Sequence, residues 1–319
     1  MAGQDDSQKR PYPSILGIGL IATVFLLPIL TSQFGWLHSL IPLPIFLVLV
    51  GFGTSHGTRI ISVAVIISGM VSVLTGSLAS LLVSFTLLPL GFYLAQAVQK
   101  KETCLHTAFM GVVVLIACWI STGFLYGLIY HSNPYNEIIA VFDQGISATY
   151  AIYQESSDLS EQGLKELEPV FLQLRNIVPV IMPAIVTISA VFTVWLNMTA
   201  GNWLLKKKDP CLTPWKDFYH WHLPEQLVWP VIIFGAGLIL PASPFRNFSI
   251  NGVLILGTLY FFQGLAVLAT LFNKWSVPRA FRILVYALIL IQAYGFVFLA
   301  IAGLADVWLD FRKSRSETK

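Results

Sequence analysis

TAFMGVVVLIACWISTGFLYGLIY, residues 107–130, contains no charged side chain. The hydrocarbon core of a bilayer is ~30 Å thick, so a crossing helix needs ~20 mainly apolar residues at 1.5 Å each. The stretch reads as one such helix. Working outward, eight further candidates appear at 15–31, 37–53, 59–75, 77–98, 176–204, 227–242, 250–272 and 281–305. The expected fold is all-α: a polytopic transmembrane helix bundle with eight or nine membrane segments and an external amphipathic helical loop. The second and seventh candidates are short and carry prolines (Pro42 and Pro44, Pro230 and Pro241). Such segments either bend or only re-enter the membrane.

Composition agrees. Apolar residues make up 56% of the 319 and charged residues 11%, against roughly 25% charge in soluble domains. A net charge of +3 without a long basic stripe gives no nucleic-acid partner. Cys104, Cys118 and Cys211 form no CxxC pair and no evident disulfide framework. The first segment follows Lys9 and Arg10 as a signal peptide would, but Thr31, Ser32, Gln33 and Phe34 offer no clean small-x-small cleavage site. It reads as a retained first helix.

Lys and Arg in short loops set the orientation. Lys9, Arg10, Arg59, Lys100, Lys101 and Lys206 to Lys208 share one side if the first six segments all cross. That side is cytoplasmic, so the N-terminus is inside and the connection 131–175 outside. The connection carries seven acids against Lys165 and Arg175. Within it Ile138, Phe142, Ile146 and Tyr150 recur every four residues, and Leu164, Leu167, Phe171 and Leu174 every three or four. Both patterns predict amphipathic helices, as a lid over an outward cavity or as helices on the membrane surface. The rule collides with the chain's end. Three further crossings keep Lys274, Arg279 and Arg282 inside but put Arg312, Lys313, Arg315 and Lys319 outside. Either the tail is an exception or a short segment, the seventh first, does not cross.

The inner loop 206–226 mixes Trp215, Tyr219 and Trp221 with charges. It predicts a short interfacial helix between Pro214 and Pro224, which would attract anionic headgroups. The divisions expected are 1–205, a six-helix bundle with its external loop, and 206–319.

The segments hold few polar groups. Asp306 and Asp310 share a helix face at the chain's end, with Trp308 and Arg312 beside them in GLADVWLDFRK, 303–313. They read as structural and interfacial. Lys313 is spaced to pair with Asp310. Asp306 is nearest the apolar core and wants an arginine; Arg279 or Arg282 would serve only if that end of the bundle is shared. No acid or histidine relay stands at mid-depth, as proton-coupled transport usually needs. Thr187, Thr193, Asn197, Gln263, Gln292 and Tyr294 remain, to line a polar pocket or to bond between helices. Asn197, Gln263 and Gln292 are the substrate-binding candidates. His220 and His222 flank Trp221 at poor zinc spacing, so no metal site is assigned. No catalytic residues and no cofactor are assigned either; no acid, histidine and serine converge by spacing. Gly51, Gly53 and Gly57 in GFGTSHGT predict a tight bend between segments two and three; no GK[ST] follows, as a phosphate loop would require.

Three stretches carry a resemblance: PLPIFLVLVGFGTSHG at 42–57, FYHWHLPEQLVWP at 218–230 and GLADVWLDFRK. The chain resembles the YybS-like family of polytopic bacterial membrane proteins. Members' first six helices look distantly similar to the substrate-binding S component of energy-coupling-factor vitamin transporters, which would map to 15–204 here. That resemblance implies a bundle gripping a small molecule near its outer face under the 131–175 lid. S components often dock on their energising partner through an Ala-x-x-x-Ala stripe, and ILGIGLIATVF, 15–25, offers Gly19 and Thr23 as the closest equivalent. The reading is a non-enzymatic, multi-pass protein of a bacterial inner membrane that binds or helps transport a small molecule. Its rival is a membrane scaffold organising other envelope proteins. The partners expected are membrane lipid, a small-molecule ligand and other inner-membrane proteins.

Overall fold

The computed structural model describes residues 14–155, 161–208, 214–215, 221–241 and 243–312. Lys9, Arg10, Cys211, Tyr219, His220, Lys313 and the rest of the basic tail lie outside these, as does most of the helix expected between Pro214 and Pro224. The described residues form eleven α-helices and no strand: α1 Ser14–Leu30, α2 Pro42–Leu74, α3 Leu78–Phe85, α4 Leu88–Gln99, α5 Cys104–Tyr130, α6 Pro134–Glu155, α7 Glu161–Lys208, α8 Val228–Gly237, α9 Pro244–Lys274, α10 Arg279–Ile291 and α11 Ala293–Leu309. A 3₁₀ stretch, Ser32–Leu40, joins the first two.

By length and hydropathy five stretches could cross a membrane: Phe34–Leu74, Ser80–Gln99, Cys104–Tyr130, Gln162–Lys207 and Pro244–Lys274. A bent pair, Arg279–Ile289 with Tyr294–Leu309, makes six if counted as one. Among the described residues the expected eight or nine is not reached: α1, at 17 residues, is short for a crossing, and the remaining shortfall has three physical causes. Segments two and three are both within α2, which breaks at Gly53 (φ 77°, ψ 165°). In an unbroken helix residues 49 and 57 stand ~12 Å apart along the axis, yet a Cβ on Gly57 would lie 3.2 Å from Leu49 Cα. The chain therefore doubles back at Gly53, as GFGTSHG predicts, and the arm before it is only ~16 Å long. Segment seven is the ten-residue α8, ~15 Å. Segment nine parts at Gln292 (φ −105°, ψ 118°) into α10 and α11, which diverge by 107°.

The helices expose large apolar side chains that water would not tolerate in such number. On α5 alone Phe109, Ile120, Phe124, Leu125, Leu128 and Ile129 face outward. A helix apolar all round is buried in protein or in lipid, and α5 is mostly not buried in protein.

Contacts divide the chain into two units, each made of two stretches. The first is Met1–Gly123 with Ser189–Lys216. Its core gathers Ile21, Phe25, Phe46, Leu90, Leu115 and Val194. Trp215, expected in an interfacial belt, is instead buried here. It stacks on Phe46 at 6.0 Å, and its carbonyl accepts from Asn202 Nδ2 at 3.1 Å. The second unit is Phe124–Ile188 with Asp217–Lys319, so 131–175 groups with the last four helices, α8 to α11. The two amphipathic helices of that connection form as the periodicity predicts. Tyr150 on α6 packs on Phe171 of α7 with centroids 5.0 Å apart, and Arg175 reaches Asp143 at 3.0 Å. The second amphipathic pattern and segment six are one continuous helix, α7, of 48 residues. At ~72 Å it is more than twice the thickness of the hydrocarbon core.

Candidate functional site

The second unit holds two polar constellations. The first is a groove between α7 and α9, about 240 Å³, lined by Gln173, Asn176, Ile177, Val180, Arg246, Asn247 and Ile250. Its wall is a repaired helix break. Pro183 has no N–H to give to the Pro179 carbonyl, and the Tyr135 hydroxyl of α6 donates to that carbonyl instead, at 2.6 Å. One residue on, Asn251 of α9 inserts where the Ala184–Val180 helix bond would run. Its Nδ2 donates to the Val180 carbonyl at 2.7 Å, and the Ala184 N–H donates to its Oδ1 at 2.8 Å. Freed backbone groups at membrane depth must find such partners. Arg246 sits in the first turn of α9, whose N-cap Ser243 accepts the Arg246 N–H at 3.2 Å. Among the described residues no acid or carbonyl engages its exposed guanidinium.

The second constellation is buried. α9 and α11 pack backbone to backbone: a methyl on Gly264 would strike the Leu299 carbonyl, and one on Gly303 the Tyr260 carbonyl. α11 ends with Asp310 in the left-handed region (φ 41°, ψ 60°), its N–H donating to the Asp306 carbonyl at 3.1 Å. The chain turns back over its own last turn. Phe311 N–H then donates to Asp306 Oδ1 at 3.2 Å, and Arg312 Nη2 meets Asp306 Oδ2 at 2.9 Å. Gln263 of α9 donates to the same Oδ2 at 3.1 Å and accepts the Leu223 N–H at 3.2 Å. Arg312 Nη1 donates to the Trp221 carbonyl at 2.8 Å and lies 3.3 Å from His222 Nε2. The Asp306 side chain is 0% exposed and that of Arg312 8%. The Arg312 guanidinium is drawn out of solvent onto the Asp306 carboxylate. A guanidinium so basic stays charged.

Along α9, Gln263 lies ~25 Å from Arg246 and ~16 Å from Lys274. The ion pair is thus packed against the middle of the helix, not its ends. This corrects two expectations. Asp306 finds its arginine six residues on, not at Arg279 or Arg282, and Arg312 is an inward-turned partner rather than a surface anchor. Trp308 is 65% exposed.

The three amide candidates have different settings. In the first unit Asn197 is fully buried and donates to the Ser39 and Thr193 carbonyls, at 2.7 and 2.6 Å. Gln263 joins the ion pair. Gln292 is exposed at the α10–α11 break, its N–H bonded to the Leu288 carbonyl at 3.1 Å. Gln292 and Gln263 do not meet in one site. Sequence reasoning missed Arg246, Asn247 and Asn251. The signals that could have found them are the prolines at 179 and 183 and the loss of apolar character at the start of α9.

No solved structure matches the chain. It is 22% identical over 299 residues to Uncharacterized protein YybS of Bacillus subtilis (strain 168), covering 92% of this chain and 94% of that one. A family profile described as "Predicted membrane protein (DUF2232)" matches residues 15–307. With that profile covering nearly all of its helices, the chain belongs to the DUF2232 family of membrane proteins.

Proposed function

We propose that the protein binds a small anionic molecule in the groove between α7 and α9 and serves its movement across a bacterial inner membrane, in the manner of an S component. The observation that carries the reading is the Arg246 guanidinium, left without a protein partner among the described residues and ringed by the amides of Gln173, Asn176 and Asn247. A guanidinium with amide donors suits a carboxylate or phosphate. The volume of about 240 Å³ sits just below the usual range for drug-sized ligands, ~300–1,000 Å³, and fits a small metabolite. Proline-interrupted helices beside a polar cavity are a recurring mark of transporter sites. In this reading the N-terminus is cytoplasmic, the groove opens outward, and α6 flanks it as a lid. The role is binding, without catalysis.

Native mass spectrometry of the gently purified protein tests this. A retained anionic small molecule is expected, with occupancy falling at least about tenfold in Arg246→Gln, the worth of one charged hydrogen bond at ~1.5 kcal/mol. A ligand retained equally by the variant, or a positively charged one, would sink the proposal. The scaffold reading draws on α6, which buries none of its 22 residues and exposes Val141 and Ile152. A photo-crosslinker at Val141 that captures one defined membrane protein, with no ligand found, would favour it.

A further inference from the structure

The turn from α9 into α10 is built firmly. Arg282 donates through Nε to the Val277 carbonyl at 2.8 Å, through Nη1 to Asn273 Oδ1 at 2.6 Å and through Nη2 to the Phe272 carbonyl at 3.1 Å. The bonds to Phe272 and Asn273 hold α10 to the last turn of α9, and the bond to Val277 ties it to the turn between them. Tyr286 packs edge-on against Phe272, centroids 5.7 Å apart. α10 then runs 13 residues, ~20 Å, too short to cross ~30 Å of hydrocarbon. It meets α11 at 107°, so both cannot lie along the membrane normal. α11 packs along α9 through Gly264 and Gly303, which leaves α10 as the transverse element.

Its two sides differ. Arg282 and Tyr286 face α9, while Phe281, Leu284, Leu288 and Ile291 form an exposed stripe at helical spacing, with Ile283 exposed between the two sides. The start is basic, with Lys274 and Arg279 exposed and Trp275 65% exposed. No acid occurs between Glu225 and Asp306 in the sequence. A cation in a helix's first turn opposes the macrodipole, so Arg279 gains nothing from its own helix. An anionic surface would complement it, and an exposed tryptophan beside it suits the headgroup level.

We propose that α10 lies in the plane of the membrane interface, its Phe281–Ile291 stripe in the acyl boundary and Lys274, Trp275 and Arg279 on anionic phospholipid headgroups. The proposal stands whether or not the groove binds a ligand.

Nitroxides placed singly at 281, 284, 288 and 291 in a cysteine-free background read depth by power saturation. In-plane α10 gives four equal depths. A membrane-spanning α10 gives a steady change of ~15 Å from 281 to 291 and overturns the placement. In nanodiscs, phosphatidylglycerol is expected to be retained about thirtyfold over phosphatidylcholine, at about a factor of five per surface cation. The Lys274→Gln/Arg279→Gln variant is expected to lose that preference. Equal retention of the two lipids by the unaltered protein, or a preference that the double variant keeps, overturns the lipid assignment. Both side chains are exposed and, among the described residues, carry no bond, so the substitutions remove no packing; the variant's nitroxide depths check that it folds.

Discussion

Asp306→Asn isolates the buried charge. The substitution keeps shape and leaves an amide oxygen able to accept the Phe311 N–H. It removes the carboxylate from Arg312, whose side chain is 8% exposed, and turns an amide N–H₂ toward donors on Gln263 and Arg312. Gln263 could flip to offer its oxygen, but would then lose the Leu223 N–H. Removing one partner of a buried pair typically costs ~3–5 kcal/mol, because the other charge stays buried. For a body the size of the second unit each kcal/mol moves Tm by roughly 2–4 °C, so a fall of roughly 6–20 °C is expected. Thermal unfolding in detergent, followed by loss of helical circular dichroism, reads it. The decisive arm is Asp306→Leu/Arg312→Met, which removes both charges and should recover most of the loss, since apolar replacements of buried pairs are often neutral or better. A Tm within 1 °C for the single variant, or a double variant as unstable as both singles added, would refute the pairing argument.

Three other substitutions probe the frame. Gly264→Ala drives a methyl into the Leu299 backbone and should cost about 1–3 kcal/mol by overpacking, read as a lower Tm with loss of an engineered 264–299 crosslink. Asn251→Ala strips partners from the Val180 carbonyl and the Ala184 N–H, at about 1–3 kcal/mol for each group left unsatisfied; hydrogen exchange at Ala184 should quicken. Gly53→Ala places a side chain at φ 77°, ψ 165°, a region essentially reserved for glycine, at about 1–3 kcal/mol. A spin-label distance between 49 and 57 should lengthen in that variant.

What the sequence made legible follows from local physics. GFGTSHG marked the reversal inside α2 because glycine alone tolerates that backbone. The four-residue recurrence of Ile138, Phe142, Ile146 and Tyr150 marked α6, and Tyr150 does meet Phe171. Long-range partners were not legible. Spacing tables pair a helical residue with one three or four positions away, and Arg312 reaches Asp306 only because Asp310 leaves the helix in a left-handed turn. Asn251 plugging the α7 break needs two helices in register, which no single-chain pattern encodes. The continuous apolar run of 281–305 concealed the break at Gln292, because neither side of it carries a proline. Trp215 misled because an aromatic near lysines fits a lipid interface and a protein core equally well by composition.

The central claim, that the groove at Asn176 and Arg246 faces outward, rests on α7 carrying it through the membrane. Asn176 and Lys206 stand ~45 Å apart along that helix, more than the hydrocarbon core. In intact cells of a cysteine-free strain, Asn176→Cys should react with a membrane-impermeant maleimide and Lys206→Cys only after lysis. Labelling of Lys206→Cys in intact cells, with Asn176→Cys silent until they are broken, would contradict the account.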